Sequence, residues 1–281
     1  MFLTLKYFTA TRISLYKQTV VVLKTVNQSL QPNLRFPSFI SNSNSVCFNL
    51  QMIAPEKFSN TEKRIEIKEV FRPSDLVKLH QTILLSRFSF RTPYPKRKIN
   101  SIYYDTHDYR SLEDSIEGGS CRTKYRIRWY GNTQDISNAT LEIKKKEGHL
   151  SWKLLKKNSF RICPCAKTWK TFLTPSSSSG NSNWFLHNQQ PKSIITYDRE
   201  YYASLDRKVR VTIDQNLKSF NQETSTKPNL NYYRPHIAFV IFEIKVSQEN
   251  ESLVKDVLRD LPFSAKRFSK YCESIIPQQY L

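Results

Sequence analysis

From Arg64 onward the chain falls into short segments in which apolar and charged residues alternate with a period of two. That spacing places successive side chains on opposite faces of a strand. In Arg64-Ile65-Glu66-Ile67-Lys68 the odd positions are apolar and the even ones charged. The same grammar recurs in Lys124-Tyr125-Arg126-Ile127-Arg128-Trp129, Leu141-Glu142-Ile143-Lys144, Val209-Arg210-Val211-Thr212-Ile213-Asp214 and Phe242-Glu243-Ile244-Lys245-Val246. Further strands are predicted at Ile99 to Asp105, around Ser151 to Leu155 and at Ser193 to Tyr201, about eight in all. Helical spacing is rarer. Pro73-Ser74-Asp75 followed by Leu76, Leu79, Ile83 and Leu84 predicts a capped amphipathic helix. Leu253, Val254, Val257, Leu258 and Leu261 predict a second over Glu251 to Leu261, and Ser269 to Ile276 a third.

The charged faces of these strands are unlike ordinary solvated ones, which mix Thr, Ser, Lys and Glu. Lys124, Arg126 and Arg128 put three cations into five residues of one face, where like charges repel. Such crowding calls for an anionic partner. The opposite faces are aromatic or branched, and the predicted helices can cover them. The sheet therefore reads as inside out: an α+β fold in which an eight-stranded antiparallel β-barrel packs its apolar side under flanking helices and encloses a charged lumen. Candidate lumen cations are Lys68, Lys124, Arg126, Arg128, Lys144, Lys146, Arg199, Arg210 and Lys245, and candidate lumen acids are Glu66, Glu142, Asp214 and Glu243. Left without partners, buried charges cost several kcal/mol each, so a polyanion is the expected guest. Arginine forks and lysine point charges suit a chain of phosphates. The carboxylates are then explained as ligands for Mg²⁺ or Mn²⁺, which take oxygen donors and bridge phosphates.

Composition narrows the alternatives. The 281 residues hold 44 Lys and Arg against 24 Asp and Glu, a formal charge of +20. Only 5 Gly occur and no glycine-rich phosphate loop is present, so side chains must do any phosphate binding. A nucleic-acid module is a rival on charge alone, yet the cations fall in strand register with carboxylates and form no polyelectrolyte run. No apolar run approaches the roughly 18 residues that span a bilayer, which leads to the expectation of a cytoplasmic protein. The five cysteines, Cys47, Cys121, Cys163, Cys165 and Cys272, fit reduced thiols. Cys163 and Cys165 with His149 or His187 offer zinc-ligand types without the paired spacing of common zinc sites. Residues 1–51 carry five basic residues and no acid, and read as a non-domain leader, transit-like or upstream of the true start. The domain is expected over 52–281, with a polar inserted loop at 163–191.

Arg64-x-Glu66-x-Lys68, Ile102-Tyr103-Tyr104-Asp105-Thr106, Lys124-x-Arg126-Ile127-Arg128-Trp129-Tyr130, Leu141-Glu142-x-Lys144, Tyr197-Asp198-Arg199, Val209 to Asp214, Phe242-Glu243-x-Lys245 and Phe268-Ser269-Lys270-Tyr271 follow one another between about residues 62 and 275. This ordered series resembles that of the VTC-type polyphosphate polymerase domain, a branch of the triphosphate tunnel metalloenzymes. The resemblance implies a tunnel that binds ATP through its triphosphate, uses a divalent metal, often Mn²⁺, and transfers the terminal phosphoryl group to a growing polyphosphate chain. Carried over by motif, Arg126 and Arg128 would hold the nucleotide phosphates, and Lys144, Arg199 and Arg210 would line the tunnel. Glu243 would bind the metal and Lys270 would contact phosphate near the tunnel end. Lys68 and Lys124 follow from strand phase, with Lys146 and Lys245 as further substrate cations and Glu66, Glu142 and Asp214 as further metal carboxylates. Lys153 and Lys156 lie in a strand whose phase the sequence leaves open. Hydrolases of the same superfamily typically show ExExK in the first strand, and Arg64 stands where the first Glu would be. A hydrolase and a non-catalytic polyphosphate-binding module are the alternatives. Neither an SPX-type domain nor a transmembrane segment, both of which accompany the eukaryotic subunits, is visible, so any membrane link is expected from a separate protein.

Overall fold

The computed structural model describes residues 58–131, 136–163, 165–176, 188–223, 225–236, 240–261 and 267–276. Eight long strands carry the architecture: β1 (Arg64–Phe71), β2 (Arg97–Asp105), β3 (Cys121–Tyr130), β4 (Ile136–Glu147), β5 (Leu150–Ile162), β6 (Gln190–Ala203), β7 (Val209–Asn221) and β8 (Val240–Ser247). They pair antiparallel in the order β5-β1-β8-β7-β6-β2-β3-β4, and β4 pairs back onto β5. The sheet thus closes on itself, and the barrel expected from the alternation is present. Short strands at Ser59–Asn60, Leu173–Pro175 and Arg234–His236 extend it along β5 and β7.

Closure works because the apolar half of each alternating segment is buried outside the barrel. Helices α1 (Leu76–Leu85) and α3 (Leu253–Asp260) lay Leu79, Ile83 and Val257 over Val209, Val211, Ile213, Phe242 and Ile244. Each such fully buried side chain contributes about 1.5–3 kcal/mol. A second outer cluster joins Ile102, Ile127, Trp129, Leu141, Phe160 and Ile194. Its cover comes from the stretch read in the sequence as a polar loop. There Thr168 caps the helical turn Trp169–Phe172, its hydroxyl accepting from the Thr171 amide at 3.2 Å, and Phe172 is fully buried. The two aromatic residues of an otherwise polar segment hold its first part to the barrel. Residues 177–187 of that segment, and the leader 1–51, lie outside the described residues.

Two further departures have physical causes. Leu84, expected on the apolar face of α1, is 80% exposed because the buried stripe ends at Ile83. Helix α2 (Arg110–Glu117) was not legible as a helix. It is eight residues long and rich in Ser, Asp and Glu, so it shows little apolar periodicity. What starts it is Asp105, whose carboxylate accepts from the amides of Ser111 at 2.8 Å and Leu112 at 3.0 Å. The same carboxylate accepts from the Tyr271 hydroxyl at 2.7 Å, tying down α4 (Lys270–Ile275). Helix α2 ends at Gly118 in the left-handed region, φ 78°, where an added side chain would also meet the Arg267 guanidinium. Among the described residues no helix is long and apolar enough to cross a membrane.

Candidate active site

Cross-strand register decides which side chains share the lumen, since paired residues face the same way. Arg126 pairs with Glu142 and Lys124 with Lys144 across β3 and β4, and Arg199 pairs with Asp214 across β6 and β7. Lys245 stands opposite both Arg210 and Glu66, and Glu243 opposite Lys68. Lys153 pairs with Lys144, so it faces inward, whereas Lys156 pairs with Leu141 of the outer cluster. Nine basic side chains, Arg64, Lys68, Arg126, Arg128, Lys144, Lys153, Arg199, Lys245 and Lys270, gather around four carboxylates, and Lys124 joins them on the inner face, bonded to Ser269. The enclosed charge is therefore strongly positive.

Each carboxylate is held by more than one cation. Glu142 accepts from Arg126 Nε at 2.8 Å and Lys153 at 3.0 Å, with Arg128 at 3.5 Å. Asp214 takes both arms of the Arg199 fork, at 2.5 and 2.7 Å, and Lys270 at 2.6 Å. Glu243 meets Lys245 at 2.7 Å, Lys68 at 3.2 Å and Arg199 at 3.7 Å. Glu66 lies 3.0 Å from Arg64 and also pairs with Lys144. Burial opposes ionisation of all four, but the neighbouring cations outweigh it. Glu66, Glu142 and Glu243 sit well below the usual carboxylate range, and Asp214 falls to about 2. The surplus cations respond in the opposite way. Burial pulls Lys245 down to about 7 and Lys144 down to about 8, their carboxylate partners offsetting only part of the cost.

The predicted residues do not all join this network. Arg210 shares the inner face by register but is exposed at the β7 end of the barrel, and Lys146 is half-buried. Among the described residues neither makes an ion pair. Tyrosines missed by the charge pattern take part: Tyr103 accepts from Arg126 at 3.1 Å and Tyr197 from Arg128 at 3.2 Å. Arg126, then Arg128 and Lys270, outweigh the burial of the Tyr103 phenol and bring it down to about 8. Part of the inner face is apolar, with Ile99, Ile195, Tyr197 and Ile241 packed around Tyr271 of α4. From the same helix Lys270 reaches Asp214, and Ser269 just before it accepts from Lys124 at 2.8 Å. Trp129 and Tyr104 are buried in the outer cluster.

Among the described residues no three His, Cys, Asp or Glu side chains converge. Cys163 and Cys165 are exposed free thiols, His149 pairs with Glu251 at 3.4 Å, and His187 lies outside the described residues. All four inward carboxylates are paired with cations, Glu66 and Glu243 as well as Glu142 and Asp214. Glu66 and Glu243 are diagonal neighbours on β1 and β8, and the charge of Glu243 works against ionisation of Glu66. Those two carboxylates would be the pair to hold a divalent ion, which would need further oxygen donors from phosphate or water.

The chain is a closed antiparallel barrel with an excess of inward-facing cations. The family model described as "VTC domain" matches residues 63–276, and the chain belongs to that family. No curated protein matches the chain. Among solved structures it is similar to a protein from Pyrococcus horikoshii OT3, at 13% identity and a TM-score of 0.38, covering 74% of this chain and 95% of that one. It is similar to a putative adenylate cyclase from Vibrio parahaemolyticus, at 8% identity and 0.39, covering 72% and 86%. A third is a putative adenylyl cyclase from Hippeastrum described as having a dominant triphosphatase activity, at 10% and 0.38, covering 75% and 93%. At those values the likenesses bear on neither substrate nor mechanism.

Proposed function

We propose that this domain is a polyphosphate polymerase, moving the terminal phosphoryl group of ATP onto a polyphosphate chain inside the lumen. One observation carries the reading: ten basic side chains share the closed barrel interior with four carboxylates. An unfilled surplus of that size is costly, and a multivalent phosphate chain neutralises it. Arg126 and Arg128 would grip the phosphates, with Lys68, Lys124, Lys144, Arg199, Lys245 and Lys270 spreading positive charge along the chain and Arg210 and Lys146 guiding it. In the transfer, the bond from the terminal phosphorus to its bridging oxygen breaks, a bond to the acceptor oxygen forms, and ADP leaves. The transition state is loose, so cations around the equatorial oxygens do most of the work. The acceptor is an anionic phosphate oxygen, so the reaction requires no general base. Glu66 and Glu243 would hold a divalent cation, Mn²⁺ or Mg²⁺, which when bound supplies Lewis-acid neutralisation of phosphate oxygen.

Arg64 favours this reading over a hydrolase, since a cation replaces a metal-binding carboxylate and pairs with Glu66 instead. Incubation with ATP and MnCl₂, followed by gel analysis of product, tests it. Long-chain polyphosphate forming in step with ADP is expected. Free phosphate equal to ADP would assign a hydrolase, and ATP left intact would assign a binding module.

Binding also has a pH signature. Near pH 8, Lys245 and Lys144 are partly neutral because burial has lowered them to about 7 and about 8, while tripolyphosphate is largely ionised. A bound polyanion raises both, so the complex takes up protons. Calorimetry of tripolyphosphate binding at pH 8 in buffers of different ionisation enthalpy should show net uptake that shrinks toward pH 6. Proton release at pH 8 would contradict the charge assignment.

A further inference from the structure

We propose that the rim where β2 and β7 begin and β3 and β6 end is a nucleobase site, in which Tyr94, Tyr130 and Arg97 take a purine base while its triphosphate lies in the lumen. The inference rests on the phosphate-binding reading above and adds where the nucleoside goes. Arg97 is the first residue of β2, Tyr130 the last of β3, and Tyr201 lies near the end of β6, on three strands adjacent in the sheet. The Arg97 guanidinium stands 4.8 Å from the Tyr94 ring centre, 5.8 Å from Tyr201 and 6.0 Å from Tyr130. Tyr94 meets Tyr201 edge to face at 5.7 Å.

These rings are offered to solvent, since Tyr94 is 53% and Tyr130 49% exposed. Flat aromatic faces and a guanidinium plane at the mouth of a phosphate-binding lumen are what a base stacks on. By contrast, Tyr103 and Tyr271 are buried and stacked on each other at 5.5 Å, with Arg126 beside the first ring and Lys124 beside the second.

Spacing supports the assignment. Tyr130 lies two residues beyond Arg128 on the same face of β3, and Tyr201 two beyond Arg199 on β6. Two residues of strand span about 6.6 Å, close to the reach of the ribose that separates a base from its first phosphate. Thr212 gives a separate sign. It pairs in register with Tyr201 and Glu243, is 5% exposed, and its hydroxyl has no hydrogen-bond partner among the described residues. A buried hydroxyl without a partner is costly, and a ribose hydroxyl or phosphate oxygen would satisfy it.

The test compares two ligands that share a triphosphate and differ in the nucleoside. Titration calorimetry of the full chain with ATP and with inorganic tripolyphosphate, both with MnCl₂, is run on wild type, Tyr94→Ala, Tyr130→Ala and the matching Phe variants. Stacking on one aromatic ring is worth about 1–3 kcal/mol per base. Each Ala variant should therefore lower the ratio of ATP to tripolyphosphate affinity about tenfold, and each Phe variant should restore it. An unchanged ratio in both Ala variants, with tripolyphosphate still bound, overturns the rim site and leaves the phosphate reading standing. A wild-type protein that binds neither ligand overturns both.

Discussion

Replacing Arg128 by alanine should cut turnover about a thousandfold while moving stability by no more than about 1 kcal/mol. The two effects separate because of where Arg128 stands in the charge balance. It is 4% exposed and its nearest carboxylate, Glu142 at 3.5 Å, is already held by Arg126 and Lys153 at shorter range. Arg126 and Arg199 work against its charge, while Glu142 and Tyr197 favour it and hold its guanidinium above the ordinary arginine range. Removing it relieves the repulsion and loses the contacts to Glu142, Ser101 and Tyr197, two effects that largely offset each other in stability. Turnover has no such compensation, since preorganised cations at a transferring phosphoryl group contribute about 10²–10³ or more in rate. Measured kcat with ATP and MnCl₂ beside a denaturant melt checks both halves. A variant with near wild-type kcat would remove Arg128 from the proposed site, and a loss of several kcal/mol would make it a structural residue.

The barrel and most of its inner face were legible because these strands alternate apolar residues with charges, a stronger contrast than ordinary solvated strands give. That contrast identified Arg126, Arg128, Lys144 and Glu243 as sharing a face. It fails in β5, where Ser151-Trp152-Lys153-Leu154-Leu155-Lys156 does not alternate. There only the pairing of Lys153 with Lys144 fixes the phase. It also fails in β7, where Asn216, at φ 54°, accompanies a register shift that turns Leu217 toward the apolar cluster around Tyr271. Tyr103 and Tyr197 were hidden because a tyrosine fits either face. Ion-pair partners were beyond reach for a related reason: the sequence shows four acids in one phase, but cross-strand register and shear decide how many cations reach each one. Glu142 and Asp214 look like Glu66 and Glu243 on paper, yet it is Glu243 whose charge works against the ionisation of Glu66.

That difference sets up the second large effect. Glu142→Gln should destabilise the ligand-free protein by about 3–5 kcal/mol, the cost of leaving buried charges uncompensated. Glu142 is 5% exposed and holds Arg126, Lys153 and Arg128 together. Its depressed carboxyl pKa follows from those cations, which outweigh its burial. The isosteric amide keeps the shape and loses the charge. Lys153 is the one of the three able to shed its proton, because burial already holds its ammonium well below the usual lysine range. Loss of Glu142 lowers it further, so the unfolded chain binds more protons than the folded one and the deficit should shrink as pH rises from 6 to 9. Tripolyphosphate should restore the variant more than it stabilises wild type, since the ligand supplies the missing negative charge. Thermal melts across that pH range, with and without tripolyphosphate, read all three outcomes. If Glu142 served instead as a metal ligand, as the sequence alone suggested, the metal-free melting temperature would stay at the wild-type value and only the increment from Mn²⁺ would be lost.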